Sequence, residues 1–240
     1  MKKTNNDISV IIPTLNEEGS IAELIQELDQ MGIYDVFVID GNSRDRTVEI
    51  AKELGANVVV QNGTGKGAAL RQAFNHADLH GDVITMMDAD GSMNPKEIPL
   101  FIEALESGAD LVKGSRFLSY GYSEDMNLIR RIGNQFFLSL VNFFWSANYT
   151  DLCYGFGTFR KDALGKLAPH LKSTNFEIET EVFIKAKKLG LKVVEVPSIE
   201  FRRRQGKSNL DIFRDGFRIL RTIFRELIDG RRIRNRTTSR

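Results

Sequence analysis

The first half of the chain alternates short, largely apolar runs with stretches of helical periodicity, and this alternation constrains the fold more than any other feature. Ile8-Ser9-Val10-Ile11-Ile12-Pro13, Val36-Phe37-Val38-Ile39-Asp40, Val58-Val59-Val60, Val83-Ile84-Thr85-Met86-Met87 and Asp110-Leu111-Val112-Lys113-Gly114 read as strands. They lack polar alternation, which suits a sheet covered on both faces. Between them lie helical patterns at 17–31, 45–54, 68–77 and 97–105, the first with Ile21, Leu24, Ile25 and Leu28 on one stripe. Strands separated by helices of about 10 to 15 residues imply βαβ units and a mostly parallel central sheet flanked by helices, an α/β fold. Ligands of such sheets bind beyond the carboxyl ends of the strands, where strand order reverses. Asp40 and Asp88 each close an apolar strand, so both are placed to face a ligand.

The second half is less regular. A helical pattern over 127–145 carries Phe136, Phe137, Phe143, Phe144 and Trp145; 154–159 reads as a glycine-bearing strand, 177–189 as a helix and 192–197 as a strand. From 212 to 228, Phe213, Phe217, Leu220, Phe224 and Leu227 form one stripe, with Arg214, Arg218, Arg221 and Arg225 off it. That is a basic amphipathic helix. The 240 residues suit one sizeable domain with a small appendage, expected as 1–208 and 209–240.

A net charge of +1 conceals an asymmetry. Residues 202–240 carry thirteen Lys/Arg against four Asp/Glu, a net of +9, which leaves −8 on the other 201. A basic tail on an acidic body points to an anionic partner: a lipid surface, nucleic acid or a polyphosphate. No base-stacking pattern accompanies it, so nucleic acid is not expected. The single Cys153 excludes an internal disulfide and fits a reducing compartment. The polar opening residues carry no signal-peptide core, and no run reaches the roughly 18 apolar residues of a membrane span. The aromatic stretch and the basic helix together suggest a surface that settles on a bilayer. The expectation is cytoplasmic residence with peripheral contact at the inner membrane face.

Asp88-Ala89-Asp90, following a buried strand, is the sharpest chemical feature. Two carboxylates one residue apart give hard oxygen ligands suited to Mg²⁺ or Mn²⁺, which usually keeps waters and bridges to substrate phosphates. A metal there would neutralise charge developing on a departing diphosphate. Gly63-Thr64-Gly65-Lys66-Gly67-Ala68 lacks the P-loop spacing, yet Lys66 at a helix start can still face an anionic donor. His76, His80 and His170 are scattered and suggest no zinc site.

Further motifs stand in order: Val10 to Glu18 with Pro13-Thr14-Leu15-Asn16-Glu17, Val38-Ile39-Asp40-Gly41-Asn42-Ser43, Asp88-Ala89-Asp90, Gly114-Ser115-Arg116, Arg131-Ile132-Gly133-Asn134, Asp151 before Gly155-Phe156, and Arg203-Arg204-Gln205-Gly206-Lys207-Ser208. Over roughly 8–210 this series resembles the family 2 glycosyltransferases, in particular the dolichyl-phosphate mannose and polyprenyl-phosphate glycosyltransferase branch. The resemblance implies a GT-A, Rossmann-like fold and inverting transfer of a hexose from a GDP- or UDP-sugar to a dolichyl or undecaprenyl phosphate. It also leaves room for a membrane partner subunit. Carried over by position, Pro13, Asn16 and Glu17 would line the nucleotide pocket, and Asp40 would contact base or ribose. Asp88, Ala89 and Asp90 would meet metal and diphosphate, and Arg116, Arg131, Arg203 and Lys207 would hold donor and acceptor phosphates. The chain departs from the pattern at Gly41, where a second Asp is common, and at Gly91-Ser92, where many relatives have Leu-Gln.

A phosphate monoester acceptor is ionised at neutral pH and needs no strong base, so positioning and cations would carry catalysis. A glycan or glycolipid hydroxyl acceptor would require a carboxylate base, with Asp151 the candidate. A non-catalytic nucleotide-sugar-binding protein is the reading from another class.

Overall fold

The computed structural model describes residues 7–76, 79–204 and 210–237. Along the chain come β1 (Ile8–Thr14), α1 (Ile21–Gln30), β2 (Asp35–Asp40), α2 (Thr47–Glu53), β3 (Asn57–Val60), α3 (Lys66–Phe74), β4 (Val83–Met86) and α4 (Ile98–Glu106). There follow β5 (Leu111–Ser115), β6 (Tyr122–Ser123), α5 (Leu128–Trp145), β7 (Gly157–Arg160), α6 (Lys161–Leu167), α7 (Glu177–Lys188), β8 (Val193–Pro197), β9 (Ile199–Glu200) and α8 (Ile212–Thr237).

Seven strands form one sheet in the order β3-β2-β1-β4-β7-β5-β8. β1 pairs in parallel with β2 and β4, β2 with β3, and β5 with β8; β7 alone runs antiparallel, between β4 and β5. Alternate side chains feed two cores, as the pleat dictates. Ile11, Phe37, Ile39, Ile84 and Met86 pack with residues of α3, α5, α7 and α8, while Val10, Ile12, Val36, Val38 and Val83 pack with α1 and α4. Both faces are covered, which is why these strands read as continuous apolar runs. The strand expected at 154–159 begins only at Gly157, because Tyr154 and Gly155 leave the ladder to line a cavity.

The order reverses between β1, which leads to β2 and β3, and β4 on its other side. A cavity of about 740 Å³ opens there, with Pro13 from β1 and Asp88 just past β4 in its wall, as expected at a switch point.

At the opposite end of the cavity, α5 and α8 pack together, and α8 also lies along α7. α8 belongs to the body: Ile219 and Ile223 are buried in the core, and the fully buried Glu226 receives Lys185 Nζ at 2.9 Å and Lys188 Nζ at 2.8 Å. The stripe Phe213, Phe217, Phe224 faces outward, with Phe213 86% exposed. Of the expected stripe, Leu227 packs against the core while the three phenylalanines face outward, and the neighbouring Ile219 and Ile223 take the buried side.

Candidate active site

The loop after β4 turns at Gly91, whose φ of +75° is left-handed and favours glycine. A Cβ there would also lie 2.7 Å from Arg204 Cδ. This turn lets Ser92 N donate to Asp90 Oδ1 at 3.0 Å and fixes that carboxylate. Asp88 and Asp90 both reach the cavity, and each already faces a cation. Lys66 Nζ lies 2.6 Å from Asp88 Oδ1 and 2.7 Å from Glu179 Oε1. Arg203 Nη1 lies 3.2 Å from Asp90 Oδ2, and the same guanidinium pairs with Glu17. Burial opposes charge on Lys66, but Asp88 and Glu179 hold its ammonium above the ordinary lysine range. Burial pushes Glu17 up to about 7, with Asp90 and Asp88 adding to the rise and Arg203 opposing it. Among the described residues, no group of three or more His, Cys, Asp or Glu side chains could hold a metal ion alone. Two aspartates with open cavity beside them suit an ion that completes its shell with waters and ligand phosphates.

The residues expected to line the nucleotide pocket divide. Pro13, Glu17, Lys66, Ala89 and Arg203 line the cavity; Asn16 and Asp40 do not. Asp40 is buried, accepting from Ser43 N at 2.9 Å, Ser43 Oγ at 2.5 Å and Thr14 Oγ1 at 3.3 Å. Asn16 accepts from Arg44 N at 2.8 Å through Oδ1, and its own N–H donates to Ser43 Oγ. Both therefore tie the β1 and β2 ends together, and Gly41 and Gln61 reach the cavity in their stead.

Arg116 and Asp151 form one buried unit. Arg116 Nε and Nη2 reach Asp151 Oδ2 and Oδ1 at 2.7 and 3.0 Å, and the Arg116 backbone N–H donates to Oδ2 at 3.2 Å. Arg116 Nη1 meets Glu200 at 3.0 Å, and the guanidinium lies 4.7 Å from the Tyr154 ring centre. Burial works against ionisation of Asp151, but Arg116 first and Lys113 second hold its carboxyl below the usual range. Asp151 is fully buried. Arg131 turns away from the cavity, 5.7 Å from the Phe117 ring, and its neighbour Arg130 lines the wall instead. Lys207 lies outside the described residues.

Residues 9–168 match the family model described as Glycosyl transferase family 2. The chain belongs to this family. It is 31% identical to the dolichyl-phosphate hexose transferase of Haloferax volcanii over 95% of this chain and 97% of that protein. With glycosyltransferase AglJ of the same organism it shares 33% identity, over 92% of this chain and 72% of the relative. Its fold is similar to that of glucosyl-3-phosphoglycerate synthase from Mycobacterium tuberculosis, solved with Mn²⁺, UDP-glucose and phosphoglyceric acid. The TM-score is 0.74 at 22% identity, over 92% of this chain and 80% of that one. As a GT-A glycosyltransferase of family 2, the chain keeps its acidic pair at the strand-order switch.

Sequence reasoning missed the far side of the cavity of this family 2 enzyme. Met126, Ile129, Ile132, Gly133 and Phe137 from around α5 meet Leu210, Ile212 and Ile219 at the start of α8. A Cβ on Gly133 would meet nothing within 4 Å, so the glycine borders open space. This apolar wall continues outward into Leu128, Phe136, Phe213 and Phe217, all exposed. Glu179 was also missed, because an acidic helix start is common for dipole reasons alone. Glu177 and Glu181 serve the loop before α7: Glu181 Oε2 accepts from Lys172 N and Ser173 N, and Glu177 Oε1 from Thr174 N.

Proposed function

We propose that this chain transfers a hexose from a GDP- or UDP-sugar to a polyprenyl phosphate, with Mg²⁺ or Mn²⁺ held by Asp88 and Asp90. One observation carries the reading: a single cavity joins the carboxylate pair to an apolar wall continuous with an exposed apolar surface. A ligand with an anionic head and a hydrocarbon tail fits both ends. The relative named dolichyl-phosphate hexose transferase supports the same acceptor class.

In the step proposed, an oxygen of the ionised acceptor phosphate attacks the anomeric carbon. The new C–O bond forms as the bond to the nucleoside diphosphate breaks, and the leaving oxygen keeps the electron pair. The products are a hexosyl phosphodiester and the free nucleoside diphosphate, with no proton to remove. The metal, when bound, supplies charge to the departing diphosphate. Lys66 and Arg203 meet the same phosphates from the protein side, while Arg130 and Arg214 at the α5/α8 end receive the acceptor phosphate. Arginine suits this task because its planar fork matches phosphate oxygens. Arg116 lines the wall beside Tyr154, and the buried Asp151 holds Arg116 in place from behind. A hydroxyl acceptor with Asp151 as base is disfavoured, because both oxygens of that carboxylate are taken by Arg116.

Among the described residues no helix is long and apolar enough to cross a membrane. The outward stripe of α8, with Arg214 and Arg221 exposed beside it, supports peripheral contact with an anionic bilayer, to which each basic residue contributes about 1 kcal/mol. The test is transfer from a panel of UDP- and GDP-sugars to a polyprenyl phosphate, with and without Mn²⁺. Turnover of no donor, with or without metal, sinks the reading.

Gly133→Phe should fill the apolar end. The expected result is at least a tenfold rise in KM for a polyprenyl phosphate, or about 1.4 kcal/mol, with donor KM unchanged. An unchanged acceptor KM would place the lipid elsewhere.

A further inference from the structure

The acidic pair is already matched by cations of the chain itself. Lys66 reaches Asp88 from the first turn of α3, and its anchor is rigid. Ala68 N donates to Thr174 O at 3.1 Å, and a Cβ on Gly67 would lie 2.8 Å from the carbonyl oxygens of Ser173 and Asn175. The start of α3 is thus locked against the loop before α7, and only the tip of Lys66 is free to choose a partner. That tip has two, Asp88 at 2.6 Å and Glu179 at 2.7 Å, with both Lys66 and Glu179 side chains largely buried.

We propose that Lys66 is a built-in counter-ion that competes with the divalent cation for Asp88 in the donor-free protein and passes to the donor diphosphate when metal and nucleotide arrive together. The inference rests on Asp88 and Asp90 being the metal ligands. An ammonium beside a carboxylate repels an incoming dication, and the largely buried position of Lys66 keeps water from fully screening that repulsion. The diphosphate removes the conflict by bringing negative charge for both cations. Glu179 makes the exchange feasible, because Lys66 keeps one buried partner after leaving Asp88, and an unpaired buried charge is avoided. Gly155 leaves the space the exchange needs: a Cβ there would lie 2.6 Å from Lys66 Nζ, 2.8 Å from Glu179 Oε1 and 3.5 Å from Asp88 Oδ2. Each is the far end of a flexible side chain, so alanine at 155 displaces the tip of Lys66 without a backbone clash. The metal site is consequently weak alone and strong with nucleotide.

Two variants test this by Mn²⁺ binding to the nucleotide-free protein, read from the EPR signal of free Mn²⁺, and by calorimetry of UDP and GDP at saturating Mn²⁺. Lys66→Gln should bind Mn²⁺ alone about tenfold more tightly, yet bind the nucleoside diphosphate that the native protein accepts about tenfold more weakly. Gly155→Ala removes no charge and should still tighten Mn²⁺ alone by a few-fold, which a general change of field would not do. Unchanged or weaker Mn²⁺ binding in both variants overturns the inference while leaving the metal site standing. Absence of Mn²⁺ binding to the native protein, with and without nucleotide, overturns the metal reading and this inference with it. Lys66→Arg, which keeps the charge, should stay within about twofold of the native Mn²⁺ affinity; a large change there would show that packing, not charge, sets the effect.

Discussion

Asp90→Asn is expected to lower kcat/KM for hexose transfer by about a thousandfold, roughly 4 kcal/mol of transition-state stabilisation. The substitution preserves shape, and the amide oxygen of Asn can still accept from Ser92 N, as Asp90 Oδ1 does at 3.0 Å. Only the charge facing the diphosphate is lost. Arg203 keeps its second partner, Glu17, so the loop stays tethered and the protein should fold normally. Donor binding measured without metal should change little, whereas the gain in donor affinity on adding Mn²⁺ should vanish. Transfer within tenfold of the native rate would show that Asp90 is not a metal ligand. A native protein that binds donor with Mn²⁺ yet transfers nothing would favour the non-catalytic reading instead.

How much of this site is legible in the sequence depends on distance along the chain. β1, β2 and β4 are each buried on both faces, so their apolar runs and the aspartates that close them can be read directly. Asp40 shows the limit: a strand-end position is correctly inferred, but the carboxylate turns back to Ser43 and Thr14 and does not enter the cavity. Arg130 and Arg131 differ by one helical position, a rotation of about 100°, and that step decides which one lines the wall. Motif matching gives the neighbourhood and cannot give the rotation. On α8 the periodicity finds an aromatic stripe, but Ile219 and Ile223 on the adjacent side meet the core, the side on which Glu226 also pairs with Lys185 and Lys188. The Lys66–Glu179 pair spans 113 residues, and no local pattern announces it.

Asp151→Asn separates a structural carboxylate from a base. Asp151 is buried and bound twice by Arg116, itself largely buried. Neutralising one member of such a pair leaves the other charge poorly compensated, which typically costs about 3–5 kcal/mol. Glu200, 3.0 Å from Arg116 Nη1, retains part of the compensation, so the lower end is expected, about 3 kcal/mol. For a chain of this size that is a fall in Tm of roughly 6–12 °C. The pH dependence has a definite sign. The Asp151 carboxyl is held below its ordinary 3.8 in the folded protein, so its stabilisation is present above that value and is lost as pH falls through the lower, folded one. The native protein and Asp151→Asn should therefore differ fully in Tm at neutral pH and converge in the acid range below about pH 4. A catalytic base would behave otherwise: Tm would hold, kcat would collapse, and the acidic limb of the native pH–rate profile would disappear. An unchanged Tm together with lost kcat would transfer Asp151 from the buried support behind Arg116 to the chemistry and restore the hydroxyl acceptor.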